Sequence, residues 1–115
     1  MQDNELIAAQ SSVEDFLYTV LNGTYCEITG YLGDETTVAI PAEIDGYIVQ
    51  SIADETFKDN TAITEVIFPE TIESMGTHVF SGCTSLKDVY MESELTHIGD
   101  YAFNGCIASE SFVVP

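Results

Sequence analysis

Basic residues are almost missing from this sequence. Lys58 and Lys87 stand alone against twenty acids, giving a formal net charge of −18 over 115 residues. A surface of that sign repels phosphate backbones and anionic lipid headgroups, so nucleic acid and membrane surfaces are poor partners and no nucleic-acid binding is expected. The acids are scattered rather than gathered in blocks, the pattern of a solvated face and not of a disordered acidic tail. No apolar run approaches the roughly 20 residues of a membrane-crossing helix, and no membrane insertion is expected. The opening MQDNELIAAQ lacks the basic flank and apolar stretch of a secretory signal. It predicts either a cytosolic chain or a mature domain cut from a longer precursor. Cysteine is too scarce for a disulfide framework, because three cannot all pair within one chain.

Patterned catalytic chemistry is lacking too. There is no nucleophile triad, HExxH, Walker or GxGxxG motif, so no enzyme, catalytic residue or cofactor is expected. No series of acids follows the spaced acid-and-glycine pattern of a calcium loop, and no metal site is expected. His78 and His97 fall at non-equivalent places of the repeat described next. Their counterparts there are Glu55 and Tyr101, or Ser74, which marks both histidines as ordinary surface residues. Asn22-Gly23-Thr24 fits a glycosylation acceptor formally, but a hairpin turn is sufficient reason for it.

What the chain does have is repetition. Phe57, Phe80 and Phe103 lie 23 residues apart. Five residues before each stands Ile52, Met75 or Ile98; six after come Ile63, Leu86 and, where the pattern falters, Ser109. Nine after come Val66, Val89 and Phe112, and eleven after come Phe68, Met91 and Val114. Pro69 and Pro115 close two of the copies, with Glu92 in that place in the middle one. A fixed period of about 20–50 residues marks a solenoid, in which no single unit buries its apolar side but stacked units do.

Within each unit EVIF (65–68), DVYM (88–91) and SFVV (111–114) alternate as short strands, which stacking turns into a parallel sheet. On the opposite wall Ile72 with Met75, and Leu95 with Ile98, supply a second inward pair. THVFSGC and DYAFNGC are too short for an α-helix and suit a 3-10 or single helical turn, with Asp59, Gly82 and Gly105 where the chain turns back. Upstream, TVAIP (37–41) repeats the strand-plus-proline phrase, but the interval from Pro41 to Phe57 is five residues longer than that from Pro69 to Phe80. The surplus falls in DGYIV, a turn signal followed by a strand-like run. DFLYTVLNGTYCEITGYLG reads as a hairpin around Asn22-Gly23 that caps the first coil and shields its open edge.

The expected class is therefore α+β but mostly β. It is a short solenoid with parallel strands on one face, short strands and 3-10 or helical turns on the other, and an N-terminal β-hairpin cap. Residues 1–12 read as a weakly helical or disordered leader. Residues 13–115 form one domain, divided into a capping hairpin (13–36), repeats (37–66, 67–89 and 90–112) and the start of a further or truncated repeat (113–115).

Cys83 and Cys106 occupy equivalent places in adjacent coils, with Asn60 in that place in the first. Their Cα atoms should lie about 5 Å apart, within disulfide range, yet stacked side chains point the same way, which favours buried structural thiols. Cys26 alternates with Ile28 in the hairpin and reads as a core thiol. On the strands, the residues between the inward ones must point outward. That places Ala39, Ile67, Tyr90 and Val113 in one exposed stripe, flanked by Thr37, Glu65, Asp88 and Ser111. An apolar stripe centred on tyrosine and rimmed by acids suits a protein-binding face with a basic partner, although strand propensity alone also fills strands this way.

The phrase IPxxIxxIGxxAFxxCxxLxxVxxP resembles the BspA-type leucine-rich repeat. Its matches are Pro69, Ile72, Met75, Gly76, Phe80, Cys83, Leu86 and Val89, then Leu95, Ile98, Gly99, Ala102, Phe103 and Cys106 in the next copy. The resemblance covers about residues 16–115. It implies a curved leucine-rich-repeat solenoid of the kind carried by secreted or surface proteins of host-associated bacteria and some parasitic protists, where it serves adhesion and protein binding. By the same resemblance, Asn60, Cys83 and Cys106 form a structural ladder meeting backbone groups at the bend, beside the ladder of Phe57, Phe80 and Phe103. The function expected is a non-enzymatic binding module of an extracellular or cell-surface protein. The alternative is a rigid spacer or cap in a larger surface protein.

Overall fold

The computed structural model describes residues 13–91 and 95–106, with the backbone of 111–113. The readings made for residues 1–12, Glu92, Ser109, Val114 and Pro115, and for the side chains of Ser111, Phe112 and Val113, lie outside the described residues. A 3-10 turn (Val13–Asp15) leads into β1 (Phe16–Val20) and β2 (Tyr25–Tyr31). Then follow β3 (Thr37–Ala39), β4 (Glu43–Ile44), β5 (Tyr47–Ile52), β6 (Glu65–Phe68), β7 (Ser74–Met75), β8 (Asp88–Met91), β9 (His97–Ile98) and β10 (Ser111–Val113). One wall is the wholly parallel sheet β3-β6-β8-β10; the other runs β1-β2-β5-β7-β9, with β4 paired to β5. Among the described residues the turns between the walls never lengthen into an α-helix, so the protein is mostly β.

Period-two alternation places Val38, Val66, Phe68, Val89 and Met91 inward from the first wall. Ile52, Ile72 and Met75 meet them from the second. Burying a side chain of this kind contributes about 1.5–3 kcal/mol. No coil could gather that alone, which is why the phrase recurs. At the end of the ladder the reading needs correction: Ile98 is 48% exposed where its counterparts Ile52 and Met75 are 1% and 3% exposed. The inner positions have a coil on either side, whereas among the described residues no further coil covers Ile98.

The phenylalanine ladder is present and longer than the repeat predicts. Phe57 and Phe80 stack at 5.0 Å and 3°, and Phe80 and Phe103 at 5.4 Å and 8°. Tyr31 of the hairpin lies 5.5 Å from Phe57, and Phe16 lies 5.1 Å from Tyr31, so five rings run from cap to last coil. Phe57 and Phe80 are buried, but Phe103 is only half-buried, for the same reason as Ile98.

The hairpin joins the second wall through parallel pairing of β2 with β5 and puts β1 outermost. Its turn is held by the Asn22 side chain, whose Oδ1 accepts from the Thr24 and Tyr25 N–H groups at 2.8 and 3.1 Å. It therefore shields the edge of the second wall, and β3 remains the outer strand of the first. The five surplus residues become the tight hairpin β4–β5. Its corner, Asp45 and Gly46, takes φ of 53° and 89°, the paired left-handed geometry that Asp-Gly favours.

The turn segments carry a hydrogen-bond ladder of their own. The N–H groups of Glu55, Phe57 and Asp59 donate to the carbonyls of Thr77, Val79 and Ser81. One coil on, those of His78, Phe80 and Gly82 donate to Asp100, Ala102 and Asn104. Within each coil, bonds to the third residue back close a 3-10-type turn, as from Cys83 to Phe80. The geometry needs two left-handed residues per coil: Glu55, His78 and Tyr101 (φ 62°, 56° and 61°), then Asp59, Gly82 and Gly105 (φ 63°, 79° and 84°). The glycines announce the second position. Nothing announces the first, since three unrelated side chains share it.

Candidate binding face

Register builds the outer surface of the first wall row by row. Thr37, Glu65, Asp88 and Ser111 stand opposite one another across β3, β6, β8 and β10, and so do Ala39, Ile67, Tyr90 and Val113. The predicted stripe and its flank are thus brought together in backbone register. Accessibility then separates its members. Tyr90 is 40% exposed and Ile67 half-buried, but Ala39 is only 7% exposed, against the expectation of an outward contact. Neighbouring groups cover its methyl, so it presents no contact surface.

The flanking row is charged and ordered. Thr37 Oγ1 donates to Glu65 Oε1 at 2.9 Å, which orients that carboxylate. Glu65 faces Asp88 directly, and Asp88 lies two residues from Tyr90 on the same side of β8. The Tyr90 hydroxyl is pushed above its ordinary range, first by the Asp88 carboxylate, then by partial desolvation, then by Glu65. Both carboxylates therefore act on one ring. Like charges opposite each other on a sheet are unfavourable, so this arrangement gains from an incoming cation.

The ladder of Asn60, Cys83 and Cys106 is satisfied internally. Cys83 Sγ donates to the Phe57 carbonyl at 3.0 Å and Cys106 Sγ to the Phe80 carbonyl at 3.3 Å, each reaching back one coil. Asn60 instead accepts on its own turn, from the Ala62 and Ile63 N–H groups at 3.0 and 3.3 Å. All three cysteines are free thiols, and Cys26 reaches the Tyr47 carbonyl at 3.8 Å. Burial pushes Cys83 up to about 12 and raises Cys26 and Cys106, so none offers the thiolate that reactivity requires. His97 is exposed, while His78 is half-buried and stacks on Tyr101 at 5.1 Å. Among the described residues no three His, Cys, Asp or Glu side chains are grouped to hold a metal ion. No helix there is long and apolar enough to cross a membrane.

Coils that place a parallel strand on one wall and a short strand on the other, joined by tight turns, define a leucine-rich-repeat solenoid. The sequence matches the BspA type leucine rich repeat region (6 copies) over residues 38–115, and the chain belongs to that family. It is similar to a leucine-rich repeat protein of Treponema pallidum at 29% identity and a TM-score of 0.88, over 92% of this chain and 50% of that one. It is also similar to a leucine-rich cell surface protein of Faecalibacterium prausnitzii at 28% identity and a TM-score of 0.81, over 90% of this chain and 29% of that one. A third likeness is to a leucine-rich repeat protein of Bacteroides capillosus, at 26% identity and a TM-score of 0.73, over 93% of this chain and 89% of that one. The chain thus spans half or less of the first two structures. No curated protein matches the sequence.

Proposed function

We propose that this domain is a non-enzymatic protein-binding module of a surface or secreted bacterial protein, working in adhesion through the outer face of β3, β6, β8 and β10. The observation that carries the reading is Tyr90, a large ring 40% exposed on a regular strand, with Ile67 beside it and Glu65 and Asp88 at its rim. Binding energy concentrates on central aromatic residues, while rim charges mainly set association rate and salt dependence. The similarity to a leucine-rich cell surface protein supports the location. The acidic rim and the net charge of −18 favour a basic partner.

The test compares wild type and Tyr90→Ala as baits against host extracellular and cell-surface extracts, with captured partners then measured by surface plasmon resonance. Tyr90→Ala should weaken binding by more than about 2 kcal/mol, the usual mark of a central aromatic contact, and leave the melting temperature unchanged. Equal binding by both baits removes the strand face as the site. An empty catch with wild type favours a rigid spacer instead.

A further inference from the structure

We propose that the strand face reads arginine: the Tyr90 ring and the Glu65 and Asp88 carboxylates form a site for one guanidinium group of an extended basic partner. This rests on the binding role of that face and names the chemistry it recognises. Neighbouring strands stand about 4.8 Å apart, and residues two apart on one strand about 6.8 Å, which leaves room for one flat cation between the ring and the carboxylates. Both carboxylates raise the Tyr90 hydroxyl, which places their fields on the ring. Thr37 holds Glu65 from one side through its 2.9 Å bond, which limits the ordering that binding must impose. Half-buried Ile67, opposite Tyr90, offers an apolar floor for the methylenes of a long side chain.

The arrangement distinguishes the two basic side chains. A guanidinium is planar, has five donors, stacks on an aromatic face and can bond two carboxylates at once. A lysine ammonium is a compact, strongly hydrated charge that lacks the planar fork and leaves the ring less well covered. The chain has no arginine of its own, so the site has no internal competitor of that kind.

The probe is a blocked peptide, acetyl-Gly-Gly-Arg-Gly-Gly-amide, titrated into isotopically labelled protein at low salt and followed by NMR. Its lysine and citrulline counterparts are run beside it. The arginine peptide should shift Tyr90, Ile67, Glu65 and Asp88 first, and bind at least about threefold more tightly than the lysine peptide, with citrulline inert. Tyr90→Leu and Asp88→Asn should each cost about threefold or more, whereas Glu43→Gln, on β4 and away from the face, should change nothing. The amide spectrum of each variant reports directly whether it is folded. Shifts spread evenly over the acidic surface, equal binding of the lysine peptide, or full binding by Tyr90→Leu would each overturn the inference. A partner captured through Tyr90 without any preference for arginine would sink the arginine site alone. A partner insensitive to Tyr90 would sink the binding face as well.

Discussion

Replacing Phe80 with alanine tests the core of this fold directly. The ring is fully buried and stacked between Phe57 at 5.0 Å and Phe103 at 5.4 Å, with Phe68 tilted against it at 6.1 Å. Truncating a buried phenylalanine costs about 3–5 kcal/mol when its surroundings cannot close on the cavity. The surroundings here are held apart by inter-coil hydrogen bonds, such as Phe57 N–H to Val79 and Phe80 N–H to Ala102, at 2.9 and 2.7 Å. Each aromatic pair adds about 0.5–1.5 kcal/mol beyond area burial, so the upper half of the range, about 4–5 kcal/mol, is expected. A domain of this size has about 6–17 kcal/mol of stability, so the variant should fold but with a much reduced margin. Phe103→Ala is the internal control, because its ring is only half-buried where that of Phe80 is fully buried; it should cost about 1–2 kcal/mol. Urea denaturation followed by circular dichroism measures both. A Phe80→Ala loss no larger than that of Phe103→Ala would refute the argument, since it would mean the coils collapse onto the gap despite the hydrogen bonds that hold them apart.

Three further outcomes follow from the same geometry. In the unfolded protein three thiols should titrate without reductant; in the folded protein half-buried Cys106 should react first, with Cys26 and Cys83 protected, as measured with a chromogenic disulfide reagent. Stability should fall in alkali: burial raises the Cys83 thiol from its ordinary 9.0 to about 12, so its contribution is complete below about pH 9 and is lost as pH rises toward 12. Cys83→Ser should flatten that part of a pH–stability curve, and an unchanged curve would contradict the assignment. Glu55→Gly should stabilise by up to about 1 kcal/mol, because glycine accepts φ of 62° without the side-chain clash. Among the described residues the weak Lys58–Glu55 contact at 3.6 Å is the only ion pair it removes, and a lower melting temperature would show that the left-handed turn is not strained.

Much of this architecture is written locally. The 23-residue period, the inward Val66/Phe68 and Val89/Met91 pairs and the hairpin cap are all legible because burial repeats with the strand period and the coil period. The two rows of the outer face are legible for the same reason, since equivalent residues of stacked coils must stand side by side. Other features depend on what one coil does to its neighbour. Tyr31 and Phe16 extend the ring spine only because β2 docks parallel to β5. Glu55, His78 and Tyr101 are left-handed because their N–H groups or carbonyl neighbours must meet the adjacent coil, a demand that leaves no common residue type behind. Tertiary structure also decided which predicted contacts are reachable, exposing Tyr90, tucking Ala39 away and leaving Ile98 and Phe103 uncovered. Periodicity specifies which way a side chain points; only the packed neighbours specify how much of it is left to touch.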